Sequence, residues 1–408
     1  MLREQSARAR GSIQRRAAAA AALLWALATT GGQTDAATQS SRLEDLTGEW
    51  ELLPEPLLWE FHNLYNARVV QVPDARHPYR MWLFGWADEE GNPGYAGYDA
   101  IYHARSADMR RWEVYAGAGE WDATMDSSRW VPVLTAGDAP YDNFHAGDPS
   151  VVARRGRYYM AYSSVGVAEA PDAPGELQVI SCIMAAESSD GIHWMKSAAP
   201  ILMWPGELTD PWLLSDGAVG QPPTGHMGSY HRPSLLWDGG RWRLWFDYFL
   251  PGTFVSMGLA ECDGEFLDPS AWRVLSAGEE PLLEDWPNTS VVRLGGRYLA
   301  FADPPYYPEE WGGDTRQLTV AESGDGLAWR VRGHLRPQGT DSTHVPEAAV
   351  LTVEGKRWLY LLYAWKPPSD PWDYRYKAIR ALRRPLIGPG PCYTGLVEPV
   401  EVRPWIVR

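Results

Sequence analysis

The sequence predicts an all-β chain, a five-bladed β-propeller with four-stranded antiparallel blades, and three observations carry that expectation. One pattern recurs five times: a polar residue with a short β-branched run, a turn, an aromatic-rich strand, and a closing strand reading apolar-x-x-Ala. The closing alanines Ala104, Ala186, Ala260, Ala321 and Ala381 stand 82, 74, 61 and 60 residues apart. Repeats of about 40–60 residues, each holding several short strands, are how propeller blades read in a sequence. Finally, four of the copies carry the same tight turn before their aromatic strand, at Gly156-Arg157-Tyr158, Gly240-Arg241-Trp242, Gly296-Arg297-Tyr298 and Gly355-Lys356-Arg357.

The first 36 residues stand apart from this pattern. Arg3, Arg8, Arg10, Arg15 and Arg16 precede an apolar run from Ala17 to Thr30, and Ala26-Leu27-Ala28 offers a small-residue cleavage site. The run is too short to span a bilayer and reads as a secretory signal peptide, with a disordered or mitochondrial leader as the alternative. The expectation is a secreted or periplasmic protein in which residues 37–408 form a single propeller and nothing enters the membrane after export. Trp50 to Trp59 and Gly395 to Val407 are both candidates for the outer strand that closes the ring.

The blade openings follow in order. They are Asn66-Ala67-Arg68-Val69-Val70, Asp148-Pro149-Ser150-Val151-Val152, Arg232-Pro233-Ser234-Leu235-Leu236, Asn288-Thr289-Ser290-Val291-Val292 and Glu347-Ala348-Ala349-Val350-Leu351. Blades are therefore expected to start near 66, 148, 232, 288 and 347. The face that carries these openings also carries the crossovers between blades and the loops between each second and third strand. Those loops hold Trp86-Ala87-Asp88-Glu89-Glu90, Asp247-Tyr248-Phe249, Ala302-Asp303-Pro304 and Trp365-Lys366-Pro367. Function concentrates on loops held by a rigid scaffold, so this is the expected working face. The opposite face repeats Ser-x-Asp-x-x-x-Trp at Ser106/Asp108/Trp112, Ser188/Asp190/Trp194 and Ser323/Asp325/Trp329. These resemble the Asp boxes of sialidases and are expected to be structural turns.

Composition narrows the partners. The net charge is −15, and the leader itself is positive (five Arg against Glu4 and Asp35), so the body is more acidic still. Such a body is a poor match for nucleic acid or anionic lipid. Three cysteines, Cys182, Cys262 and Cys392, form no disulfide framework and no metal-ligand spacing, so neither a metal nor a cofactor is expected. Twenty-two tryptophans exceed what packing between blades demands and suit stacking against sugar faces.

The residues expected around the channel mouth are Asn66, Asp148, Arg232, Asn288 and Glu347, with His145, His231 and His344 beside them. Two carboxylates across a cleft divide acid and base roles in glycosidic cleavage; a separation of about 5–5.5 Å implies retention and roughly 6.5–9.5 Å implies inversion. Arg232 suits holding a carboxylate or clamping an anionic sugar substituent. Structural readings stand beside these. Asp148 also suits a strand-entry turn, Glu347 an ion pair with Arg232, and Asp247 and Asp303 loop caps.

His145-Ala146-Gly147-Asp148-Pro149-Ser150-Val151-Val152, followed by Gly156-Arg157-Tyr158-Tyr159-Met160-Ala161-Tyr162, resembles the blade-opening signature of glycoside hydrolase family 43. The wider clan, with families 32, 68 and 117, shares it. As architecture the resemblance spans roughly residues 61–385; the sharp motif covers only the blade at Asp148. It implies a metal-independent glycosidase acting on carbohydrate. By that resemblance Asp148 is the general base or nucleophile and Glu347 the general acid. Asp247 supports them, and Asn66, His145, His231, Arg232, Asn288, Asp303 and His344 bind substrate. The chain departs from the family in opening its first blade with Asn66 and its third with Arg232, where carboxylates are expected. A non-catalytic glycan-binding propeller is therefore the alternative. A sialidase-type enzyme fits less well, since it calls for an arginine triad and six blades.

Overall fold

The computed structural model describes residues 50–86, 99–169, 177–203, 229–249, 255–277, 280–306, 315–316, 318–335, 342–366 and 376–386. The leader, Asp88 to Glu90, Pro367, Cys392 and the segment Gly395 to Val407 lie outside these residues. Among the described residues there is no α-helix, and the strands form five antiparallel sheets of at least four strands, beside a two-stranded hairpin of Pro305–Tyr306 and Thr315–Arg316.

Each sheet is a blade, and its strands are lettered A to D from the channel outward. Strand A is Asn63–Gln71 in blade 1, His145–Arg154 in blade 2, Ser229–Asp238 in blade 3, Ser290–Leu294 in blade 4 and Ser342–Val353 in blade 5. These five strands touch one another in cyclic order, blade 5 meeting blade 1, which closes the ring. Strand B follows as Tyr79–Trp86, Arg157–Glu169, Arg241–Phe249, Arg297–Ala302 and Lys356–Lys366. The fourth strand of blade 5 is Glu51–Leu52, which pairs with Arg383 and Leu382. The last blade is thus built from both ends of the described chain, so opening the ring requires breaking a sheet.

The core is five wedges rather than one ball. Five buried clusters each lie between two neighbouring blades. Alternation along strand B divides one strand between two wedges. Met81 and Leu83 face blade 5, while Trp82 and Phe84 face blade 2. Likewise Leu244 and Phe246 face blade 2, and Trp245 faces blade 4. Strands buried on both faces explain why the repeats read as nearly continuous apolar runs.

On the face away from the channel mouth, the Asp boxes are C–D turns. Ser323 Oγ accepts the Gly326 N–H at 2.8 Å, and Asp325 Oδ1 accepts those of Leu327 and Ala328 at 2.8 and 2.9 Å. The Gly326 carbonyl then receives two indoles, Trp329 of its own blade and Trp245 of blade 3, both at 3.0 Å. Trp82 of blade 1 makes the same bond to Gly191 in blade 2. The boxes of blades 2 and 4 therefore cap a turn and tie down the previous blade. Asp325→Ala should lower unfolding free energy by about 1 kcal/mol, as losing a cap does, with saccharide binding unchanged. Chemical denaturation beside a binding assay checks this, and lost binding at full stability would contradict it.

Candidate active site

A one-residue insertion shapes the channel mouth. In blades 1, 2, 3 and 5 strand A advances three residues while strand B advances two, as from Gly147↔Ser163 to Ser150↔Ala161. Each is a β-bulge that re-aims the strand where it enters the channel. In all five blades a residue with left-handed backbone marks the place: Asn66 (φ 46°), Asp148 (46°), Arg232 (48°), Asn288 (60°) and Val345 (48°).

This corrects the expected ring in its fifth member. Val345, not Glu347, is the counterpart of Asp148. Glu347 pairs with Leu362 as Ser150 does with Ala161, so it belongs to a second tier with Arg68, Ser150, Ser234 and Ser290. The second tier is a set of ties. Ser150, Ser234 and Ser290 each accept an N–H from the next blade, of Leu235, Val291 and Ala348, at 2.7–2.9 Å. Arg68 donates to Glu347 Oε2 at 3.2 Å and to the carbonyls of Ala348, Val151 and Leu235. The partner of Glu347 is thus Arg68, not Arg232, with Ser290 Oγ donating at 3.0 Å. Burial raises the Glu347 carboxyl to about 7, opposed chiefly by Arg68.

The upper tier has its own ties, and they occupy two expected site residues. Asp247 lies within strand B rather than on a loop, where it accepts the N–H groups of Asn288 (2.5 Å) and Thr289 (3.2 Å) from the next blade. Burial raises its carboxyl to about 7, against the pull of Arg232 and those N–H groups. Asp303, just past strand B of blade 4, accepts from Val345 N–H at 3.1 Å and from the Asn288 side chain, and its Oδ2 meets His344 Nδ1 at 2.7 Å. Ser163 holds the Arg232 N–H the same way at 2.7 Å. These carboxylates hold the mouth's backbone.

Asp148 is different. It is buried, yet its Oδ1 has no hydrogen-bond partner, and Arg232 Nε, 3.9 Å away, has none either. Asn288 Oδ1 is a third such atom. Buried polar atoms are nearly always paired, so an unbonded carboxylate oxygen beside an unbonded guanidinium nitrogen marks a place built to receive something polar. His231, beside Arg232, is pushed well below the usual imidazole range by burial first and then by Arg232 and His145. It is a neutral ring.

The sequence reading missed Asp99. It sits just before strand C of blade 1 (Ala100–Ser106), is buried, and places Oδ2 at 2.5 Å from His145 Nδ1. Its carboxyl is raised by burial, lowered by His145 and raised again by Asp148, so these three groups share one pit. An aromatic wall missed with it adjoins that pit. Tyr65 packs on Phe84, Tyr376 and His344 with ring centroids 5.0, 5.5 and 5.5 Å away, and its hydroxyl accepts from Asn63 at 2.7 Å. Phe84 meets Tyr65 at 5.0 Å and His145 at 5.9 Å between ring centroids, which joins wall and pit. Asn66, buried at its bulge, completes the upper tier. An apolar wall beside a few convergent polar groups is the usual build of a small-molecule site.

No family model matches the chain, and no curated protein does. Solved structures do. BT0996, solved as an RGII complex, is 15% identical with a TM-score of 0.55, over 89% of this protein and 98% of that one. A glycoside hydrolase is 14% identical with a TM-score of 0.54, over 90% and 99%. Zg3597, a family 117 glycoside hydrolase of the marine bacterium Zobellia galactanivorans, is 14% identical over 83% and 90%, with a TM-score of 0.49. At such identity the shared property is the five-bladed fold, and the chemistry rests on the site.

Proposed function

We propose that this protein is an exported glycoside hydrolase that cleaves an oligo- or polysaccharide at the channel mouth. The observation that carries the reading is the unsatisfied pair of Asp148 and Arg232, buried beside a second carboxylate and an aromatic wall. A sugar offers hydroxyls to the unfilled polar atoms and C–H faces to Tyr65 and Tyr376. In this reading Asp148 is the carboxylate that takes a proton from water or attacks the anomeric carbon. Arg232 and Asn288 orient substrate hydroxyls. The ties of Asp247 and Asp303 hold the geometry rigid, as a preorganised site requires. Glu347, the acid implied by resemblance, is already bonded to Arg68 and Ser290 on the lower tier, so a different donor serves the leaving group.

The test is a product screen of the purified protein on plant and algal glycans, with reducing ends and released sugars measured. Sugar release that depends on Asp148 supports the reading. Saturable retention on an immobilised glycan with no product would replace it with the binding module, and neither release nor retention would remove both.

A further inference from the structure

We propose that the proton donor of this site is the imidazole of His145, with Asp99 as the residue that positions it. This rests on the hydrolase reading and names the group that reading lacks.

The ring of His145 is fixed on three sides. Asp99 Oδ2 lies 2.5 Å from Nδ1, which sets the tautomer, and Nε2 is the nitrogen assigned to the transferred proton. The edge of Phe84 packs at 5.9 Å between ring centroids. The third side is Gly147, the residue immediately before Asp148. A Cβ placed there would fall 2.7 Å from Nε2 and 3.0 Å from Cε1, so glycine is what lets the ring lie against the backbone leading into Asp148. His145 and Asp148 thus stand on the same strand, three residues apart across the bulge. The titratable groups that act on His145 are Asp99 from blade 1 and His231 from blade 3; Asp148 in turn acts on Asp99, and Arg232 on His231.

Two rivals are excluded by how they are bonded. The Glu347 side chain is 3% exposed and held by Arg68, whereas that of His145 is 14% exposed. His344 with Asp303 looks like a second pair, but both Asp303 oxygens are used by Asn288 and Val345. Asp99 Oδ1 carries no such bond, so Asp99 is not a tie.

In the step, the glycosidic C–O bond breaks and its electron pair stays on the leaving oxygen, which takes the proton from His145 Nε2. Water bonds to the anomeric carbon and gives its proton to Asp148. One water is consumed, and the site resets when that proton returns through solvent to His145.

The test compares full-chain wild type, Asp99→Asn, His145→Ala, Gly147→Ala and Glu347→Gln on two substrates. One is the natural linkage; the other is an aryl glycoside whose acidic phenol leaves unaided. The first three variants should lose about 10²–10³-fold in kcat on the natural linkage and under about tenfold on the aryl glycoside, because general acid assistance is what the phenol does not need. Asp99→Asn should also move the alkaline limb of the pH–rate profile to lower pH, since a neighbouring carboxylate favours the protonated imidazole. A structural role alone would depress both substrates alike and leave the limb in place; that result overturns the proposal. So would leaving-group dependence in Glu347→Gln instead. A folded wild type that hydrolyses nothing ends the hydrolase reading and this proposal together, whereas an active wild type with insensitive variants ends this proposal alone. The downfield Nδ1 proton of His145 in NMR, present in wild type and lost in Asp99→Asn with the remaining spectrum intact, separates a broken pair from a misfolded variant.

Discussion

Replacing Asp148 with asparagine should lower turnover by about 10²–10⁴-fold, the range that removal of a positioned acid or base produces, while the unfolding midpoint stays close to wild type. The choice of asparagine follows from the backbone. Asp148 sits at φ 46°, a left-handed conformation that Asn tolerates and that costs most other residues roughly 1–2 kcal/mol. An alanine there would mix catalytic loss with strain. Because Oδ1 has no hydrogen-bond partner, placing the amide nitrogen there breaks no existing hydrogen bond. The same substitution at Asp247 should behave in the opposite way. There the carboxylate accepts two backbone N–H groups of the next blade, so an amide that offers N–H in return destabilises the fold by about 1–3 kcal/mol. Measured together by kcat and by denaturant midpoint, the two variants separate site from scaffold. Full turnover in Asp148→Asn, on a substrate the wild type cleaves, would remove Asp148 from the chemistry.

The contrast shows which parts of this molecule a sequence reader can reach. The five blades were legible because each repeat carries its own turn and closing alanine, and both faces of every central strand must be apolar when blades pack on two sides. Asp148 was legible because the bulge prefers Asn or Asp at its left-handed position and the motif around it is strong. The fifth bulge was not. A β-branched residue is the least suited to positive φ, so nothing in His344-Val345-Pro346-Glu347 signals that Val345 holds that place. A reader looking for a polar opening chooses Glu347, two residues late and on the lower tier with its bonds to Arg68 and Ser290. Asp99 was hidden for another reason. It belongs to no repeat position, and only the closed ring brings the start of one blade's third strand against the next blade's first histidine. Arg68 was quoted within an opening but given no role, because its partners lie on blades 2, 3 and 5 and are distant in sequence.

Arg68→Met should be the most destabilising single change in the channel, at about 3–5 kcal/mol, the usual cost of removing one partner from a buried ion pair. The geometry argues for that range. Arg68 joins four inner strands, its own and those carrying Val151, Leu235 and Glu347 with Ala348. Methionine fills much of the volume but leaves the Glu347 charge with Ser290 as its one remaining tie. The loss should depend on pH, and its sign is fixed. The folded Glu347 carboxyl is raised from 4.5 to about 7, so between those values the folded state binds more protons than the unfolded chain. Stability therefore falls as pH rises through that window. Asp247, raised from 3.8 to about 7, adds to the same slope. Without Arg68 the principal influence lowering the Glu347 value is gone, so the window should extend to higher pH and the variant should lose more at pH 8 than at pH 5. Adding Glu347→Gln to Arg68→Met should recover much of the deficit at pH 8, because the uncompensated charge is then absent, and little at pH 5. Urea midpoints of wild type, both single variants and the double variant at these two pH values complete the cycle. A deficit equal at both values, or a double variant no more stable than Arg68→Met, would mean that Arg68 acts through its carbonyl contacts alone and that the ion pair is incidental to the closed channel.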